Sequence, residues 1–248
     1  MITLPIIGTE REYTVKPSKI IALGLNYRDH IAESETVKVK GFGTDVPEEP
    51  VLFPKTPNVL IGPGDPIILP AFIDEYQFED PRIDYEGELA LLIGRRCKAV
   101  TSEEAPRVIF GFTCMNDVTQ RNFQRGDKSG WFRGKSLDTF GPIGPAVMPA
   151  DKTAFHTEPG EPNRWDPQNV EIITRLNGKE VQHSNTSFMI FGIREIIAFV
   201  SKNFILEEGD IILTGTPAGI GPIADGDTVE VEIEGIGTLQ NTVRNESR

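Results

Sequence analysis

Apolar positions along this chain come in short runs cut by glycine and proline, a pattern that predicts strands joined by loops. The runs Ile20–Leu25, Val51–Phe53, Ile67–Leu69, Ile83–Ile93, Val108–Met115, Val170–Leu176, Ile211–Leu213 and Val229–Ile233 are the expected strands. Asn177-Gly178 marks a hairpin, because a type I′ turn needs two residues with positive φ. One stretch has a different period. Met189, Ile190, Ile193, Ile196, Ile197 and Val200 fall on one helical face that ends at Ser201-Lys202-Asn203. A short helix is expected to begin near Asn26 or Tyr27, and Ser102 to cap another. The fold class is therefore mainly β with a few helices, an α+β protein.

No repeat, low-complexity tract or linker divides the 248 residues. Residues 1–50 read as a prelude that includes a polar, Gly-containing lid segment, Ser34–Glu49, and residues 51–248 as the main domain. The net charge of −12 argues against binding a phosphate backbone, while leaving room for a small anion beside local cations. No apolar run is long enough to span a bilayer, and Met1–Thr9 has no basic start or small-residue cleavage site, so a cytoplasmic protein is expected. Cys97 and Cys114 lack metal-ligand spacing and read as buried packing residues.

The chemistry concentrates in a few places. In Ile83–Ile93, strand alternation puts Glu86 and Glu88 on one face, with backbone positions about 6.5 to 7 Å apart, close enough to lean onto one hard cation. A solvated strand face is the competing reading, weakened by Ala90 and Leu92 on the same side and by repulsion between adjacent like charges. Asp117 ends the run Val108–Met115, where it could cap a helix or complete an all-oxygen ligand set suited to Mg²⁺, Mn²⁺ or Ca²⁺. His30 and Glu33 stand three apart after the first strand, so on a helix they touch, either as a surface pair or as an oriented general base. Gly134-Lys135-Ser136 lacks the preceding glycine of a phosphate-binding loop. A lysine there has another use: three carboxylates against a divalent ion leave about one negative charge, and an anionic substrate needs a local cation. In Leu213-Thr-Gly-Thr216-Pro-Ala-Gly, glycines could let backbone N–H groups approach a carboxylate, or simply make a tight turn. His156 and His183 sit in polar surroundings and read as exposed.

Taken in order, Gly24-Leu-Asn-Tyr-Arg-Asp-His30, Glu49-Pro-Val-Leu-Phe, Asp84-Tyr-Glu-Gly-Glu-Leu-Ala, Asn116-Asp-Val-Thr, Gly134-Lys-Ser-Leu-Asp-Thr-Phe-Gly-Pro and Leu206-Glu-Glu-Gly-Asp-Ile-Ile-Leu-Thr-Gly-Thr-Pro resemble the fumarylacetoacetate hydrolase superfamily. The likeness runs from Lys19 to about Ile233 and is nearest to single-domain members of the acylpyruvase and oxaloacetate decarboxylase type. It implies a mixed β-roll and a homodimer. By position, Glu86, Glu88 and Asp117 match the family's metal ligands, and His30 and Glu33 its catalytic dyad on a lid helix. Lys135 matches the pocket lysine, Thr216 the threonine that helps hold a substrate carboxylate, and Arg121 and Gln124 pocket-lining positions. The segment Val37–Glu49 departs from the family by its length.

These readings converge on a Mg²⁺- or Mn²⁺-dependent enzyme, with Ca²⁺ able to substitute, acting on a small anionic 2-oxo acid. Acylpyruvate-type hydrolysis or oxaloacetate decarboxylation is expected, and isomerisation or decarboxylation of a 5-carboxymethyl-2-hydroxymuconate-type dienoate is the rival. A non-catalytic, ion-stabilised binding module is the alternative of another class. It could scatter His30, Glu33 and Lys135, which an enzyme must gather around one ion.

Overall fold

A computed structural model describes residues 1–36, 46–126, 128–129, 131–156 and 164–247. The expected lid segment Ser34–Glu49 lies largely outside them. The molecule is mainly β, as its pattern of short apolar runs predicts. Seven strands form the central curled sheet, in the order Val51–Lys55, Ile20–Gly24, Ile211–Leu213, Gly87–Ile93, Ile109–Asn116, Gly141–Pro149 and Leu60–Ile61. The sheet is mixed: Ile211–Leu213 runs parallel to Ile20–Gly24 and antiparallel to Gly87–Ile93. A second sheet holds Lys179–Asn185, Glu171–Leu176, Thr228–Ile233, Gly237–Asn245 and Ile67–Leu69.

Gly87–Ile93 shows why the apolar run is continuous where a half-exposed strand would alternate. Every residue in it is buried, because both faces of the central sheet are covered. Leu89, Leu91 and Ile93 pack with Ile172, Val231, Ile233 and Leu239 of the second sheet and with Ile193, Ile196, Ile197 and Val200 of the helix Ile193–Asn203. Ala90 and Leu92 face the other way, against Ile20, Ala22, Phe53, Met115, Ile143 and Leu213. Each fully buried Leu or Ile contributes about 1.5 to 3 kcal/mol, so this strand anchors whatever its first residues carry.

Most expected elements are found, and the differences have physical causes. Asn177 and Gly178 take φ of 54° and 76°, as the hairpin turn requires. The helix starts at Ile193, not Met189, because Gly192 opens it with its N–H held by Glu195, while the main chain at Ile190 is drawn to Asn26 O. The helix after the first strand spans Arg28–Thr36. Ser102 does not cap a helix: it lies in a turn closed by Thr101, whose Oγ1 accepts from Glu104 N at 3.3 Å and whose N–H donates to Glu104 Oε2 at 3.0 Å, and the short 3-10 helix Ala105–Val108 that follows has no side-chain cap. The run Ile83–Ile93 is two strands. It breaks at Glu86, and Ile83–Tyr85 joins a small separate sheet with Thr119–Gln120 and Gly221–Pro222. Cys114 is fully buried and Cys97 half-buried, both free and packed at the main core, and His156 and His183 are exposed.

Candidate metal centre and its surroundings

The break at Glu86 builds the site. Asn116 Oδ1 takes the Glu86 N–H at 2.9 Å, and Glu86 O receives the Asp117 N–H at 2.8 Å. A side chain thus stands in for part of the ladder and turns the chain between the two strands. The ladder resumes at Gly87, opposite Asn116. A Cβ at Gly87 would lie 2.2 Å from Thr174 Oγ1 in the second sheet, so only glycine allows this approach. Glu86, Glu88 and Asp117 are all buried, and one carboxylate oxygen from each lies within 4.8 Å of the others.

Cations surround this cluster more densely than the motifs suggest. Lys135, at the end of the short helix Phe132–Lys135, reaches Glu86 Oε2 at 2.8 Å and Asp117 Oδ2 at 2.6 Å. Arg121 pairs with Glu86 Oε1 at 2.5 Å and with Asp84 Oδ2 at 2.7 Å, and donates to Gln124 Oε1 at 2.9 Å. Arg82 takes the second Asp84 oxygen at 2.7 Å. Lys55, absent from every motif, lies 2.6 Å from Asp117 Oδ1. Three carboxylates thus pair with four cations here and Glu88 with none, so a divalent ion would leave the locale positive rather than negative and well matched to an acid anion.

Protonation follows the neighbours. Burial would raise Glu86, but Lys135 and Arg121 hold its carboxyl well below the usual range. Glu88 goes the other way, pushed well up by burial and by the like charges of Asp117 and Glu86. Burial lowers Lys135 less than Asp117 and Glu86 raise it, so the ammonium is the stable form. Glu88 Oε2 accepts the Gly215 N–H at 2.6 Å, but the buried Oε1 has no hydrogen-bond partner among the described residues. A buried carboxylate oxygen without a donor, among hard oxygens and no sulfur, fits an Mg²⁺- or Mn²⁺-type cation.

His30 and Glu33 lie on the helix Arg28–Thr36 with His30 Nδ1 and Glu33 Oε2 3.7 Å apart, and His30 is near enough to Glu86 to influence its charge. The Gly219 N–H donates to Glu33 Oε2 at 2.9 Å, so the loop after Ile211–Leu213 docks onto this helix. Gly219 has φ of +99°, and a Cβ there would meet Val181 O at 2.1 Å. The glycine N–H groups of this loop do approach carboxylates, and these are the protein's own, Glu88 and Glu33. Thr216 is turned toward the main chain, donating to Gly87 O at 2.9 Å and accepting from Gln182 Nε2 at 2.8 Å.

Lys55, Arg82 and Gln182 are the neighbours that the motifs missed, while Asp84 and Asn116 stood in the motifs without a role. Lys55 follows the run Val51–Phe53 by two positions, after an exposed Pro54, so the pattern gave no sign of its burial.

The curled fold, with its two large sheets, thus gathers a lysine and a His–Glu pair about a buried carboxylate triad that could hold a metal ion. The chain belongs to the fumarylacetoacetate hydrolase family: residues 19–244 match the model of the fumarylacetoacetate (FAA) hydrolase C-terminal domain. It is 38% identical to the mitochondrial oxaloacetate tautomerase FAHD2A of Bos taurus, over 92% of this chain and 67% of that protein. Among solved structures it resembles a 5-carboxymethyl-2-hydroxymuconate delta-isomerase from Mycobacterium smegmatis, with TM-score 0.77 and 39% identity, covering 97% of this chain and 87% of that one. It also resembles maleylpyruvate hydrolase from Sphingobium sp. SYK-6 in complex with manganese(II) ion and pyruvate, with TM-score 0.74 and 31% identity, covering 94% and 73%. Members of the family are hydrolases, isomerases and tautomerases, so this is an enzyme family. No helix among the described residues is long and apolar enough to cross a membrane.

Proposed function

We propose that this protein is a divalent-cation-dependent enzyme acting on small 2-oxo acids, by acylpyruvate-type C–C hydrolysis or oxaloacetate decarboxylation. The observation that carries the proposal is the meeting of three buried carboxylates, with Glu88 Oε1 and Asp117 Oδ1 lacking hydrogen-bond partners among the described residues, beside Lys135 and the His30–Glu33 pair. Glu86, Glu88 and Asp117 would hold Mg²⁺ or Mn²⁺, and the manganese in the maleylpyruvate hydrolase relative supports that choice. When bound, the cation would supply Lewis acidity toward the 2-oxo and carboxylate oxygens. The Lys135 ammonium would stabilise negative charge growing on the substrate oxygen. His30, oriented by Glu33, would take a proton from water as it attacks the distal carbonyl. Arg121 and Gln124 would line the pocket, and Thr216 would turn its hydroxyl from Gly87 O to the substrate carboxylate.

Two relatives favour a second reading on the same residues. The bovine tautomerase and the mycobacterial isomerase both act, by their names, on anions that a proton transfer rearranges, and neither name implies attacking water. A non-catalytic module is disfavoured by the gathering of His30, Lys135 and the carboxylates. By likeness to the family we also propose a homodimer. The test is a panel of acylpyruvates, fumarylpyruvate, oxaloacetate and hydroxymuconates, assayed with Mg²⁺ and with EDTA. Turnover of an acylpyruvate or oxaloacetate that EDTA abolishes is the expected result. Turnover of hydroxymuconates alone would select the isomerase reading, and EDTA-insensitive turnover would remove the cation from it.

A further inference from the structure

Lys55 has no part in the chemistry above, yet it is one of the most deeply buried charges in the molecule, its side chain wholly covered. It ends the strand Val51–Lys55, opposite Ile20 in the central sheet, so its backbone is fixed by the register. An ammonium has three N–H donors. Lys55 faces three acceptors: Asp117 Oδ1 at 2.6 Å, the Lys135 carbonyl at 2.5 Å and, more distantly, the Val118 carbonyl at 3.4 Å. It donates hydrogen bonds to the two carbonyls and forms an ion pair with Asp117, so its described neighbours are atoms of the protein itself. Two of those acceptors belong to residues of the site. Asp117 is held at Oδ1 by Lys55 and at Oδ2 by Lys135.

We propose that Lys55 is a positioning residue that ties the carboxylate cluster to the pocket lysine. By fixing Asp117 Oδ1 it selects which oxygen Asp117 presents to the cluster. By holding the Lys135 carbonyl it fixes the end of the helix Phe132–Lys135, and so the root of the Lys135 side chain. An aliphatic side chain of equal length would fill the same space without the cost of burying an ammonium. Retention of the charge is explained by its two bonds into the site. Partners that orient a ligating carboxylate typically contribute 10- to 100-fold in metal affinity.

This inference rests on the reading of Glu86, Glu88 and Asp117 as a cation site, and the experiment separates the two. Mn²⁺ binding, followed by the electron paramagnetic resonance of the free ion, is measured on the wild-type chain and on Lys55→Met, with thermal melts of both in metal-free buffer. The expected result is that the wild type binds Mn²⁺, that Lys55→Met binds it about 10- to 100-fold more weakly, and that saturating Mn²⁺ restores turnover only in part because Lys135 is also displaced. A folded Lys55→Met that binds Mn²⁺ as tightly as the wild type would overturn the positioning role and leave the cation site standing. Failure of the wild type to bind Mn²⁺ would overturn the cation site, and this role with it. If Lys55→Met does not fold, the double variant Lys55→Met/Asp117→Asn removes both charges and should fold again. A double variant no better folded than the single one would show that Lys55 does not act through Asp117.

Discussion

Glu88 hangs from a paired strand and Glu86 and Asp117 from the breaks at the ends of adjoining strands, all almost fully buried, with charged partners between 2.5 and 2.8 Å around Glu86 and Asp117. His30 and Glu33 share one nine-residue helix, with Glu33 29% exposed and 3.7 Å from the imidazole, and are tied to the rest of the site through the Gly219 N–H. The first group is set by the register of a sheet whose faces are both covered, and its geometry is that of the core. The second is set by the docking of one short helix against one loop. Damage to the cluster should therefore cost stability and activity together, whereas damage to the pair should cost activity nearly alone.

The largest expected effect is at Glu86. Glu86→Gln leaves Lys135 and Arg121 facing a neutral amide, and breaking a buried ion pair costs about 3 to 5 kcal/mol. It also removes a ligand from the proposed cation site, where Lewis acidity is worth several kcal/mol, so turnover should fall by more than about 10³-fold. Steady-state kinetics and thermal melts of one preparation check both halves. A Glu86→Gln chain of wild-type stability that is merely inactive would break the comparison.

Next comes His30→Ala. Hydrolysis should fall by about 10²- to 10⁴-fold, the range usual for a general base, with far less change in melting temperature than in Glu86→Gln. Decarboxylation of oxaloacetate, which needs no attacking water, should fall less. Equal losses in the two reactions would assign the pair to the site as a whole and withdraw its role as base.

How legible these two regions were in the sequence differs for the same physical reasons. Local spacing sufficed for the pair, because residues three apart on a helix touch whatever surrounds them. The triad was legible as residues but not as a shape. Alternation runs unbroken through Ile83–Ile93, and the turn at Glu86 depends on Asn116, thirty positions away. Lys55 was invisible because a lysine after Pro54 reads as solvated until Asp117 and the Lys135 carbonyl are folded onto it. In the fold, Gly141–Pro149 carries two glycines and three prolines and reads as loop, yet it is a nine-residue bulged strand next to Ile109–Asn116. Gly237–Asn245 was hidden by its polar outer face, with Leu239, Asn241 and Val243 turned inward. Runs buried on both faces, such as Ile211–Leu213, and turns with special φ needs, such as Asn177-Gly178, were the readable parts.

The smallest effect is one of pH. Burial acts to raise the Glu33 carboxyl, but hydrogen bonds from His30 and from the Gly219 and Ile220 N–H groups outweigh it and hold the group below its ordinary range. A folded value below the unfolded one, about 4.3, means stabilisation that is present above that value and is lost as pH falls through the folded one. With Glu33 partly exposed the effect is small. Thermal melts of wild type and Glu33→Gln should differ at neutral pH and converge in acid. A gap that widens on acidification would reverse the assignment.

The most direct test of the cation site is a crystal grown with Mn²⁺, with anomalous scattering collected at the manganese edge. One peak bonded to carboxylate oxygens of Glu86, Glu88 and Asp117 is the predicted result. A peak at any other set of residues, or none at these three with the ion in excess, would contradict it.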